Sequence, residues 1–228
     1  MRTKDLGVII LALAFISLFA LVEPVQEAYD WLNGQHGMVA AFLKFALLAT
    51  FGEMLAARIR SGQYVPPGFG LLPRAVVWGI LGLTVKLAFV IFATGVPTFL
   101  AYLGLAEATE ALAGPMGPQR VLVALAVSAV MNTVYAPVMM LTHKITDMHI
   151  AEWQGGMGAL THRIHVVDIL RERIDWKVQW NFVFAKTIPL FWIPAHTISF
   201  LLPADMRTLF AAVLSIALGL ILAFASKK

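Results

Sequence analysis

Several residues able to carry charge, protons or hydrogen bonds stand inside stretches of sequence that are otherwise almost purely apolar. Lys44, Glu53, Lys86 and Lys186 are ionisable, and Asn132, Tyr135 and His196 add polar groups to the same stretches. In hydrocarbon each ionisable group costs about 2.5–3.5 kcal/mol on insertion scales, so such residues mark ion paths, proton relays or paired charges. Counted along their helices, Glu53 and Lys186 share a depth, which predicts a pair. Lys86 and Asn132 both fall near mid-span, which predicts a polar centre. Asn132, Tyr135 and His143 recur at spacings that place them along one side of a wet path. Glu53, Lys86, Asn132, Tyr135, Lys186 and His196 are therefore the candidates for lining a pore or polar cavity, while Lys44 reads as a lysine snorkelling to water.

A second set of side chains could hold a metal. His143, Asp147 and His149 sit at helical spacing, as do His162 and His165, but neither set matches a standard zinc signature and no metal or other cofactor is assigned. The chain has no cysteine, so thiolate chemistry is absent. The stretch GQYVPPGFG (62–70) lacks the lysine and hydroxyl ending of a phosphate loop and reads as a tight turn. Residues 143–178 balance five basic residues with five acidic ones, which offers no concentrated face for nucleic acid.

The elements that must position these groups follow from composition. Of 228 residues, 60% are hydrophobic and 13% charged, with a mean hydropathy of +0.81. Soluble domains carry about a quarter charged residues, so this is the composition of an integral membrane protein, embedded among lipids. Six segments approach the length of about 20 apolar residues that a spanning helix needs: 6–23, 37–57, 75–100, 120–142, 179–202 and 207–226. The predicted fold is all-α, a single polytopic bundle over residues 1–228. With the N-terminus inside, twelve loop cations (Arg2, Lys4, Arg58, Arg60, Arg74, Lys144, Arg163, Arg171, Arg173, Lys177, Lys227, Lys228) fall on the inner side and only Arg120 and Arg207 on the outer. That bias predicts both termini in the cytoplasm. The inner loop 143–178 is expected to hold a surface helix with Leu160, Ile164, Val167 and Leu170 on its apolar face.

Pro137, Pro189 and Pro194 interrupt apolar segments. Each lacks a backbone donor, so each predicts a kink facing protein or water. Small residues recur every four positions at Ala211, Ser215, Gly219 and Ala223, a row suited to close helix packing or to a homo-oligomer face. Shorter rows, Ala124–Ser128–Asn132 and Gly52–Ala56, predict ordinary packing within the bundle.

The segment WIPAHTISFLLPADMR (192–207) resembles the C-terminal signature of the family typified by the twenty-two-kilodalton peroxisomal membrane protein and the Mpv-seventeen protein. Trp192, Pro194, Phe200, Pro203 and Arg207 carry the likeness. Upstream, Gly52-Glu53 is similar to the family's Gly-Asp, Arg74 and Gly79 to its Arg and Gly, and Asn132 with Pro137 to its Gln and Pro. The likeness covers about residues 40–226 and leaves the first helix as an addition; Ser199 and Met131 stand where the family has Asn and Asp. It implies a channel- or transporter-type protein of organelle membranes, or of the cytoplasmic membrane in a bacterium. Two further classes stay open. One is an intramembrane enzyme acting on lipid through His143, His149, His162 or His165. The other is a structural or assembly subunit.

Overall fold

The computed structural model describes residues 3–225, and among them every regular element is a helix. Arg2, Lys227 and Lys228 lie outside the described residues. The chain divides into two compact units, one through residue 40 and one from residue 41 on. The first holds α1 (Thr3–Leu21) and α2 (Glu23–Gln35). Pro24 opens α2, a position where its missing N–H and fixed φ cost nothing. The stretch expected as an outer loop is thus helical. Phe19 meets Tyr29 edge-on, with ring centroids 5.8 Å apart, and joins the two helices.

The second unit contains most of α3 (Gly37–Ser61), then α4 (Leu71–Tyr102), the single turn α5 (Ala108–Ala111), α6 (Pro118–Val134) and α7 (Ala136–Glu152). After two short turns, α8 (Val166–Asp168) and α9 (Trp176–Val178), a wide helix with i→i−5 bonding runs over Gln179–Trp192. α10 (Ile193–Leu201) and α11 (Ala204–Ala225) follow. The core forms where α6 meets α10 and α4: Val123, Ala124, Val127, Met131, Phe89 and Phe200 are all buried. The Ala124–Ser128–Asn132 row lies in that core, and Ser128 donates to the Ile193 carbonyl at 2.7 Å. On α4, Leu81, Val85, Ala88 and Phe89 turn inward while Ile80, Leu87 and Ile91 stay exposed. An apolar face left open in this way suits lipid as the surrounding solvent.

Among the described residues four helices are long and apolar enough to cross a membrane, and α6 with α7 makes a fifth as a pair bent by 43°. The expected span 120–142 is therefore broken, and Pro137 supplies the reason. It stands in the first turn of α7, has no N–H for the Thr133 carbonyl, and its ring crowds that turn. The segment 179–202 is helical but not regular. Pro189 lies within the wide helix, and Pro194 opens α10 directly after it. Shifting to i→i−5 bonding moves the acceptor of each N–H away from the position that proline obstructs; the Ile193 N–H still bonds the Ile188 carbonyl.

The long loop also differs from expectation. α7 continues to Glu152, so residues 143–152 belong to a core helix. The surface helix over 160–173 does not form as one piece. Leu160 ends a 3₁₀ turn, Thr161–His165 is irregular, and Ile169 is the buried residue while Val167 is exposed. Helix does form over the second half of that stretch, where Val166–Asp168 runs straight into a wide turn at Ile169–Arg173.

The small-residue rows pack inside the chain. Ala211 is buried, and a Cβ placed on Gly219 would lie 3.4 Å from the Gly52 carbonyl oxygen and 3.9 Å from the Ala56 Cβ. The side chain of Ala223 lies outside the described residues. A Cβ on Gly52 would sit 2.9 Å from the Ile216 Cα, a backbone atom that can yield only if α11 moves. Gly52→Ala is accordingly expected to destabilise by about 1–3 kcal/mol. Gly95→Ala, where nothing lies within 4 Å, should be neutral or slightly stabilising. Thermal unfolding of the two variants in one detergent checks the contrast.

Candidate functional site

A cavity of about 700 Å³ opens into the second unit. Its walls come from α3 (Ala49, Glu53, Ala56), the start of α4 (Arg74, Trp78), α7 (Met139, Met140, His143, Asp147), the wide helix (Gln179, Val183, Trp192) and α11 (Ser215, Gly219). Much of the wall is apolar. The charged residues gather at the junction of α3, α4 and α7.

The geometry there centres on Arg74. Its Nη1 donates to Glu53 Oε2 and to Asp147 Oδ1, so one guanidinium holds two carboxylates. The other oxygen of Glu53 accepts from the Trp78 indole N–H at 2.8 Å and faces His143 Nε2 at 2.9 Å. His143 Nε2 lies 3.9 Å from Asp147, and the imidazole packs against the Trp78 ring with centroids 4.3 Å apart. The Arg74 side chain is 13% exposed, Glu53 18% and His143 24%. In such a setting opposite charges attract strongly, and an unpaired one is costly.

Helical spacing builds this cluster. Arg74 and Trp78 are four apart on α4, and His143 and Asp147 are four apart on α7, so each pair lies on one face. The register between α4 and α7 is set outside the cluster. Gly70, at φ 72°, and Gly155, at φ 73°, pack backbone against backbone: a Cβ on Gly70 would lie 2.8 Å from the Gly155 Cα. Both the conformation and the space require glycine. That contact ties the turn before α4 to the end of α7. Arg74 is fixed further by its Nε, which donates to the Phe69 carbonyl at 2.6 Å, and by lying over the Phe69 ring.

Of the residues singled out for a polar path, Glu53 and His143 line this cavity, and Lys86, Asn132, Tyr135, Lys186 and His196 stand elsewhere. The expected Glu53–Lys186 pair does not form. Lys186 is exposed on the wide helix, and the cation at Glu53 is Arg74. The expected Lys86–Asn132 centre does not form either. Asn132 is 1% exposed, and its amide donates to the Ser128 carbonyl at 2.8 Å within its own helix. Tyr135 instead bonds Thr84 at 2.7 Å. His196 is enclosed: it stacks on Trp192, meets Phe89 edge-on, and faces Ser199 Oγ at 3.2 Å. Lys44 is buried within electrostatic reach of Lys86 and Asp205. Arg207 and Arg120, counted as the two outer cations, bond within the protein. Arg207 donates to the Phe200 and Leu202 carbonyls, and Arg120 to that of Leu201, so two guanidinium groups cap the end of α10.

Glu53, His143 and Asp147 bring donor atoms within 4.8 Å of one another, a spacing that an ion could bridge. Arg74 already bonds both carboxylates there and serves as the resident cation. His149, His162 and His165 line a separate cavity of about 380 Å³ with Glu152 and Arg163. His162 is held by the Gly158 carbonyl at 2.8 Å and stacked on Trp153. Trp192 and Gln179, both on the wall of the larger cavity, have buried N–H groups with no partner among the described residues.

Removing the guanidinium should leave two part-buried carboxylates without their arginine partner. Arg74→Met is expected to cost about 3–5 kcal/mol, and adding Glu53→Gln should recover part of that loss. Unfolding of the two single variants and the double variant measures the coupling.

Comparison with models of known protein families, with curated proteins and with solved structures finds no match for this chain.

Proposed function

We propose that this chain is a small membrane channel or carrier for ions or polar metabolites, and that the 700 Å³ cavity is its binding site. One observation carries the reading: a cluster of opposed charges is set into membrane-spanning helices at the wall of an open cavity. A bundle gains little stability from a buried ion pair that well-packed apolar residues could replace. Charges gathered where the ends of three helices meet beside an open cavity point to a task. The bend at Tyr135 and the wide helix support the same reading, since irregular helices at membrane depth line binding sites in transporters.

On this reading the chain crosses the membrane six times with both termini in the cytoplasm, the segment 179–202 forming the fifth crossing. In that orientation Arg60, Lys144 and Arg173, all exposed, put a basic rim on the cytoplasmic opening. On the same reading the chain is a member of the family of the Mpv-seventeen protein. Three of the residues carrying that likeness, Glu53, Arg74 and Trp192, meet on the cavity wall. A lipid-acting enzyme is the second reading, favoured by the 2.9 Å contact between His143 and Glu53, the geometry of an oriented general base.

Vesicles containing the purified protein should swell in isosmotic small polar solutes faster than empty vesicles. Met139→Trp, which fills the cavity from α7, should cut that rate by roughly tenfold or more while unfolding at a similar temperature. Equal rates with and without protein would remove the channel and carrier readings, and breakdown of the vesicle lipid would favour the enzyme.

A further inference from the structure

The cluster at the cavity wall is short of one positive charge. Glu53 and Asp147 supply two negative charges and Arg74 one positive, a sum of −1 with His143 neutral and of 0 with His143 protonated. Arg74 keeps its charge throughout, because a guanidinium is not deprotonated in proteins. Histidine is the side chain suited to changing charge near neutrality. Resting on the carrier reading above, we propose that the proton is a co-substrate of this protein and that His143 is the residue that carries it.

The surroundings fit that role. In the neutral ring Nε2 carries the hydrogen, since it faces a carboxylate oxygen at 2.9 Å. The exchangeable proton then goes to Nδ1. A hydronium ion in the cavity gives up a proton to the Nδ1 lone pair, imidazole becomes imidazolium, and water is left. The reverse step returns the proton to water. The charged groups facing His143 are Glu53 from α3, Arg74 from α4 and Asp147 from its own helix; Lys144, which acts on Asp147, and Arg60, Arg173 and Asp175 line the same cavity. His143 is part of the cavity wall and in reach of water, whereas His196, in its stack of aromatic rings, is closed off. A solute charge entering beside the cluster and a proton on His143 therefore act on the same electrostatic balance, which is the physical basis of coupling.

The test uses the whole protein in vesicles with a trapped pH-sensitive dye. An imposed pH gradient, acid on the side from which solute enters, should raise the initial solute rate by at least about fivefold, with proton movement in the same direction. In His143→Gln, which can still donate to Glu53, the solute rate should no longer respond to the gradient and the proton signal should be lost, whatever solute rate remains. A second readout guards against misfolding. Trp78 lies against His143, so its emission should change between about pH 5 and 8 in the parent protein and not in His143→Gln, with Trp78→Phe identifying the signal. Solute movement indifferent to the gradient would overturn the proton proposal and leave the carrier standing. A gradient effect retained in His143→Gln would overturn the assignment to His143. No solute movement under any condition would remove the carrier reading, and the proton proposal with it.

Discussion

One guanidinium makes this site possible. Arg74 holds Glu53 on one helix and Asp147 on another, and without it two carboxylates would stand unpaired among apolar helices. Arginine suits this position better than lysine would. Its planar fork offers several donors in fixed directions, and the side chain is held from behind by the Phe69 carbonyl and ring. Three helices that share few other polar contacts are thereby joined at one point, and Trp78 and His143 complete the hydrogen bonds that remain on Glu53.

The rest of the second unit can be understood as what lets that pairing exist. The Gly70–Gly155 contact brings the first turn of α4 level with the second half of α7. The bend at Tyr135 turns α7 away from the line of α6, so that its His143 and Asp147 face the cavity while the α6 side chains stay in the core. Gly52 and Gly219 draw α11 close to α3 just beside Glu53. The wide helix closes the remaining side, with Trp192 and Gln179 on its inner face. Local departures from regular structure thus gather around the one charge cluster, the pattern expected where function and ideal geometry compete.

Helical class and most element positions were legible in the sequence because apolar run length reports them directly. Glu53 was legible as a costly residue, and Pro137 as a break. Its partner was not legible. Depth along the chain pointed to Lys186, but depth says nothing about which helix is next to which, and Arg74 was counted as a loop cation because it opens its span. Asp147 was legible only as a metal-ligand candidate beside His143; its meeting with Arg74 was not, because α7 extends well past the apolar run and carries both residues beyond the predicted end at 142. Asn132 and His196 misled in the opposite way. Both are polar and deep, yet each is satisfied or enclosed by immediate neighbours, Ser128 in one case and Trp192, Phe89 and Ser199 in the other. Polarity at depth marks a group that needs a partner, and only the packing shows whether that partner is a neighbour or a solute.

The central claim is that the charge cluster borders a water-filled cavity inside the membrane-spanning helices. The chain has no cysteine, so single cysteines can be read without background. Ser215 lines the cavity from α11, while Leu87 is exposed on the apolar outer face of α4. In protein-containing vesicles, Ser215→Cys should react with a membrane-impermeant maleimide, and Leu87→Cys should stay unlabelled. Labelling of Leu87→Cys with Ser215→Cys protected would mean that water reaches the other face of the bundle, and the account of the site would be wrong.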